Sequence, residues 1–320
     1  MTLTSDQITT LCRRGFGHGF QIESIQELSG GTFNTTYLIT FIGQPKVILR
    51  VAPPQTADTA WEDAFLMRSE HAMQPYFAPV AALMPKTLFI DFTHQLIDRD
   101  FMFQTFIEGE RWDDAWDALT PAENDRLWRQ FGNITKKIHD VHGETFGLPR
   151  QGFQFNSWSQ TVIDRLERTL QAAKNLQLDV TDPALILEMV RAHPEQLDEI
   201  QVPHLLHGDL WLFNLMVARD AGGPTIVGVL DADRSWWGDP MADWTMFILA
   251  HAEVEEGYSH FWQAYGQPED TPGARYRATV YDGMHAGTAL VWSVKHQDAG
   301  TVERAKGTLR DVAARLPSLF

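Results

Sequence analysis

The chain has 320 residues, 44% of them hydrophobic, and a formal net charge of −16; that length predicts one large domain or two lobes with ample core. The acidic balance argues against a nucleic-acid binder, which needs clustered Lys and Arg against the phosphates. A single cysteine, Cys12, allows no internal disulfide and suits a reducing cytoplasm, no Cys/His spacing suggests zinc, and the chain shows neither a signal-peptide pattern nor a membrane-length apolar run.

In chain order, residues 5–14 predict a short helix with Ser5 as its N-cap. The stretch IQELSGGTFNTTYLITFIGQPKVILRVAP predicts two or three strands. Residues 36–42 are β-branched and aromatic, and Val47, Leu49 and Val51 alternate with Ile48 and Arg50. A helix is predicted from about Thr59 to Met73, then strands near 87–90 and 101–107. From Glu108 the pattern turns helical. Leu127, Phe131, Ile134, Ile138 and Val141 recur at steps of four, three, four and three, a core-facing stripe. Trp158, Val162, Leu166, Leu170 and Ala173 form a second stripe, and Pro194 and Pro203 bracket a break. LLHGDLWLFNL and the apolar strand of TIVGVLDAD follow. Further helices carry Trp244, Phe247 and Ile248, then Ala286, Leu290 and Val291.

An Asp and an Asn stand five apart, Asp209 and Asn214, inside an apolar run. Either alone reads as a cap or turn residue. Asp231, seventeen residues after Asn214 at the end of the strand 226–230, changes that reading. The interval suits a hairpin that returns one motif beside the other. Two carboxylates and an amide oxygen suit a hard divalent cation such as magnesium, and one carboxylate can instead serve as a base.

HGDLWLFN followed by LDADRSWWGDP resembles the signature pair of the aminoglycoside phosphotransferase and choline kinase family, small-molecule kinases with a protein-kinase-like fold. The resemblance implies an α+β, bilobal protein-kinase-like fold. Residues 1–104 would be the nucleotide-binding lobe, an N-terminal antiparallel sheet with one main helix. Residues 105–320 would be a mainly helical catalytic and substrate-binding lobe. It implies Asp209 as catalytic base and Asn214 and Asp231 as magnesium ligands, with His207 and Gly208 shaping the loop. An Asp near the position of Asp243 braces that loop in similar kinases, so Asp239 and Asp243 are expected to be structural. Asp233 is expected either behind the ligands or exposed to solvent, and Trp236 and Trp237 in packing.

The same resemblance asks for a nucleotide site in the first lobe. Ser29, Gly30, Gly31 and Thr32 form a loop whose amides can approach phosphates; taken alone it reads as a hairpin turn. Arg50 stands where the protein-kinase pattern has Lys, and the Arg fork is not equivalent to an ammonium. Glu70 is the expected partner, with Glu62 as competitor near the helix start. The segment 102–112 is read as the link between lobes, with backbone groups of Gln104 to Phe106 facing an adenine edge. The implied donor is ATP, with GTP open, and the implied cofactor is magnesium.

The implied acceptor is a hydroxyl of a small molecule; relatives phosphorylate antibiotics, choline, sugars and other alcohols. Residues 110–119, ERWDDAWDAL, offer a cationic acceptor carboxylates and aromatic rings. The other reading is a solvated helix start with its Trp residues packed inward. Glu253, Glu255 and Glu256 form a second acidic cluster or a solvated face, and His139 and His142 read as capping or surface residues. Three alternatives stay open: a non-catalytic nucleotide-binding regulator of kinase-like fold, a protein kinase, and a metal-dependent hydrolase. A complete base and ligand set disfavours the first. The second lacks an activation segment ending in Ala-Pro-Glu, and the third leaves the first lobe unexplained.

Overall fold

The computed structural model describes residues 2–28, 33–55, 59, 61, 63–251 and 255–319. The chain opens with α1 (Ser5–Phe16), capped not by Ser5 but by Thr4. Thr4 has extended backbone and accepts from the Gln7 amide, while the Gln7 side chain accepts from the Thr4 amide. This reciprocal box needs the polar residue three positions ahead, which Gln7 supplies for Thr4.

Strands β1 (Ile22–Leu28), β2 (Thr35–Phe41) and β3 (Val47–Val51) follow; after them come α2 (Leu66–Met73), β4 (Thr87–Asp91) and β5 (Phe101–Thr105). The five strands form one antiparallel sheet in the order β1-β2-β3-β5-β4. Strand alternation sorts its faces. Tyr37, Ile39, Leu49, Val51, Phe101 and Phe103 pack with Ile8, Leu11 and Cys12 of α1. Arg50 and its cross-strand partner Met102 lie on the other face, where Met102 packs with Met67 of α2.

The helix expected from Thr59 begins, among the described residues, only at Leu66. Phe65 precedes it with φ +58, a left-handed conformation that a helical residue cannot hold. A 3-10 segment, Gln74–Leu83, continues it.

Short β6 (Glu110–Arg111) and α3 (Trp112–Ala115) lead into α4 (Pro121–His139). The predicted stripe is its buried face, at Leu127, Phe131, Ile134 and Ile138; Val141 falls beyond the helix. Next come β7 (Phe146–Gly147), β8 (Gln154–Phe155), α5 (Trp158–Asn175), α6 (Thr181–Ala192), α7 (Pro194–Leu197) and β9 (His204–Leu206). The expected hairpin is β10 (Leu215–Asp220) against β11 (Gly223–Val229), with β6 beside it. Strand β12 (Trp236–Gly238) pairs with β9 and β7. The chain ends in α8 (Trp244–His251), α9 (Glu255–Tyr265), α10 (Pro272–Lys295) and α11 (Ala299–Arg315).

Two cores hold this part together. One joins α5, α6, α10 and α11 around Trp158, Leu166, Val190, Tyr281 and Leu309. The other lies under the hairpin, with Trp112, Phe131, Leu210, Val229 and Phe261. The architecture is an antiparallel sheet lobe followed by a mainly helical lobe. Among the described residues no helix is long and apolar enough to cross a membrane.

Candidate active site

Strand β9 delivers Leu205 and Leu206, both fully buried, and the chain then turns at His207, Gly208 and Asp209. Leu210 and Leu215 are also fully buried. The apolar run is therefore the anchor of a loop that carries His207, Gly208 and Asp209.

One carboxylate holds this loop from behind. Asp243, fully buried, accepts from the amides of Gly208 and Trp244, both at 2.8 Å, through Oδ1. Its Oδ2 lies 3.0 Å from both the His207 amide and the His139 Nε2. Burial alone would raise the Asp243 carboxyl, but the bonds from His139, the charges of His139 and His207 and the Gly208 amide together hold it below the ordinary 3.8. His139 was expected at the surface or as a cap. It is instead 3% exposed, with Nδ1 at 2.8 Å from the Tyr265 hydroxyl. Such a position two turns after Phe131, beside the stripe, was the available signal; His142 is exposed as expected.

Gly208 is required twice over. Its φ is +82, and a Cβ there would run into the Arg234 carbonyl. Gly208→Ala is expected to cost about 1–3 kcal/mol through backbone strain alone and to misplace Asp209. Urea unfolding together with a transfer assay checks this; a variant with both unchanged would contradict it.

Asn214 closes a 3-10 turn and donates Nδ2 to the Asp209 carbonyl at 2.7 Å and to its carboxylate at 3.0 Å. Both of these bonds use the amide nitrogen. Burial, and then the Asp231 charge, push the Asp209 carboxyl up to about 7 against the opposing Arg234 charge and the Asn214 bond. The second motif is tied to the first by the Leu230 amide, which donates to the Asn214 carbonyl at 2.8 Å. Asp231 itself adopts φ +63, a strained turn of the kind found at functional positions.

Arg50 sits at the centre of the charged groups. Nη1 meets Glu70 Oε2 at 2.6 Å; Nη2 meets Asp231 Oδ1 at 2.5 Å and Asp233 Oδ2 at 3.3 Å. Burial would lower the guanidinium pKa, but the three carboxylates overcome that and raise it. Of the two expectations for Asp233, a place behind the ligands and an exposed acid, the structure shows a buried group. It is 4% exposed, and burial and Asp231 raise its carboxyl well above the ordinary value. Oxygens of Glu70, Asp231 and Asp233 lie within 4.8 Å of one another. All three are carboxylate oxygen donors, the ligand type that magnesium prefers.

Ser29, Gly30, Gly31 and Thr32 lie outside the described residues, as does Glu62. The loop is followed by Phe33, whose ring lies 4.5 Å from the Arg234 guanidinium, and by Asn34, whose Nδ2 lies 3.4 Å from Asp233. Gln104 lies within β5, paired opposite Ile48 and Thr87, and its side chain donates to Glu70 Oε1 at 2.9 Å. That bond has no sequence signal. Phe106 stands just past the strand end, beneath Lys46 at 5.1 Å.

In residues 110–119, Arg111 pairs with Asp113 at 2.9 Å and Asp114 at 3.0 Å, while Trp112 is fully buried. This is a helix start with an inward Trp, its acids partly offset by Arg111. Glu253 lies outside the described residues, and Glu255 and Glu256 open α9. Trp236 and Trp237 are buried in packing.

A family model described as "Phosphotransferase enzyme family" matches residues 24–277. Among solved structures, a thermostable mutant of aminoglycoside phosphotransferase APH(4)-Ia, in ternary complex with AMP-PNP and hygromycin B, aligns with TM-score 0.69 and 18% identity over 96% of this chain and 98% of that one. A GDP complex of a mutant aminoglycoside 2'-phosphotransferase-IIIa aligns with TM-score 0.66 and 16% identity over 99% of this chain and 100% of that one. A putative aminoglycoside phosphotransferase from Ralstonia eutropha JMP134 aligns with TM-score 0.64 and 17% identity over 99% and 96%. These likenesses establish the protein-kinase-like fold. No curated protein sequence matches significantly.

Proposed function

From the premise that the chain belongs to the phosphotransferase enzyme family, we propose that it transfers the γ-phosphoryl group of ATP, or of GTP, to a hydroxyl of a small molecule. It is a small-molecule kinase; its donor, its acceptor and the roles of its residues are the proposal. The observation that carries the reading is the meeting of Arg50 with Glu70 and Asp231, beside the Asp209–Asn214 pair.

In this reading residues 1–104 bind the nucleotide and residues 105–320 supply base, metal ligands and acceptor pocket. The loop Ser29, Gly30, Gly31 and Thr32 cradles phosphates, Arg50 held by Glu70 meets their oxygens, and the Gln104 to Phe106 backbone faces the base. Asp209 orients the acceptor hydroxyl and takes its proton as the oxygen bonds to phosphorus and the bond to the diphosphate breaks. Asn214 and Asp231 would hold magnesium, which would supply positive charge against the charge that develops on the phosphates. Asp243 holds the loop still, so positioning and electrostatics supply most of the effect.

The acceptor is an aminoglycoside, an amino alcohol or a sugar-like molecule. Solved relatives were crystallised with hygromycin B and with kanamycin. A lone cysteine favours a reducing cytoplasm. The test is release of ADP or GDP from the magnesium nucleotide across aminoglycosides, amino alcohols and sugars. Release that depends on one acceptor class is expected. Tight nucleotide binding with no release for any acceptor would favour the non-catalytic reading.

A further inference from the structure

The chain entering α2 is held from the opposite lobe. Arg150, between β7 and β8, donates Nη1 to the Ala64 carbonyl at 2.6 Å and Nη2 to the Trp61 carbonyl at 2.8 Å. Its guanidinium lies 4.5 Å from the Phe153 ring, which stacks on Trp61 at 5.8 Å with 15° between planes. Arg165 of α5 lies over the Trp61 ring at 5.5 Å, and Arg234 Nη2 meets Asp63 Oδ1 at 2.9 Å.

What this segment leads into matters for the site. Phe65, left-handed, begins α2 without any side-chain cap, and its carbonyl takes the amides of Arg68 and Ser69, each at 3.0 Å. Helix α2 has 8 residues, too few to hold its place by helical propensity alone. Yet it carries Glu70, whose two oxygens orient Arg50 and Gln104. A group meant to meet phosphate oxygens must be held to within about 0.5 Å. The two carbonyls bound by Arg150 fix the entry to that helix.

We propose that Arg150 is a positioning residue: it clasps Trp61 and Ala64 and through α2 sets Glu70 and Arg50. The inference rests on the nucleotide-binding role of Arg50. A planar fork is suited to this task because its two Nη groups, held rigidly in one plane, meet two carbonyls at once, where a lysine offers one nitrogen on a flexible stem.

The test is a double-mutant cycle between Arg150→Ala and Glu70→Ala, read by calorimetric binding of magnesium–ATP and magnesium–GTP, with amide hydrogen exchange of the ligand-free proteins. Arg150→Ala is expected to speed exchange across residues 63–73 and to weaken nucleotide binding by about fivefold or more, the scale of coupling between linked residues. In the Glu70→Ala background it should add little, because its effect runs through Glu70. Arg150→Lys should recover part of the loss, and it carries the comparison should Arg150→Ala not fold. Arg191→Ala, which removes an exposed pair with Glu167, should change neither readout. Additive losses, or unchanged exchange over 63–73 with wild-type binding intact, overturn the role of Arg150 alone. A wild-type protein that binds neither nucleotide overturns the role of Arg50 first, and the clasp with it.

Discussion

Asp209→Ala is expected to lower phosphoryl transfer by about 10²–10⁴-fold, the usual contribution of a positioned base, while magnesium–ATP still binds. The loss should fall on kcat, because the carboxylate acts on the acceptor proton and not on the nucleotide. Asn214 keeps its bond to the Asp209 backbone carbonyl in the variant, so the turn that presents its amide oxygen survives. Stability should rise at the same time. Asp209 is buried close to the Asp231 charge, and both effects oppose its ionisation, so the native fold holds it at a cost. A steady-state assay and thermal unfolding of one preparation measure both. Wild-type turnover in this variant would remove Asp209 from the role of base.

Asp243→Ala should have the largest effect on the fold. It removes the acceptor for three backbone amides and for His139 in a fully buried place. Donors stranded in this way, with a buried pair broken, cost about 3–5 kcal/mol. Transfer should fall as well, since the His207 and Gly208 amides lose the group that fixes them. Asp243→Asn, which keeps one acceptor oxygen, should lie between. The acid limb gives a further check. Because the native carboxyl lies below 3.8, its stabilisation is present above that value and disappears as pH falls through the lower native one. The gap between wild type and Asp243→Ala in a urea titration should therefore narrow below about pH 4. A gap independent of pH would contradict the ionised, hydrogen-bonded state.

The readable and unreadable parts of this chain divide along the range of the interactions. Arg50 was legible because strand alternation puts it opposite Leu49 and Val51, and Glu70 because it lies on the helix that should face it. The hairpin was legible from the interval between Asn214 and Asp231. Stripes such as Leu127 to Ile138 marked helices that bury a face. What escaped depends on partners far along the chain. His139 meets Asp243 over 104 positions and Tyr265 over 126; its place two turns after Phe131 points to burial but not to these partners. Sequence left Asp233 open between a place behind the ligands and an exposed one, because Arg50, which meets it, lies 183 positions away. Periodicity does not register the left-handed turn at Phe65 that delays α2, and propensity alone favours Ser5 over its neighbour Thr4 as the cap.

Cys12, under the sheet on α1, has a consequence outside catalysis. It is fully buried, and burial pushes its thiol up to about 12, so almost no thiolate forms near neutral pH. Thiolate is the species that alkylating and oxidising reagents attack. The native protein is thus close to chemically silent towards thiol reagents while it stays folded. A cysteine introduced on either side of the cleft would be the sole reactive site, and a fluorophore or spin label there would report lobe separation without first removing a native residue.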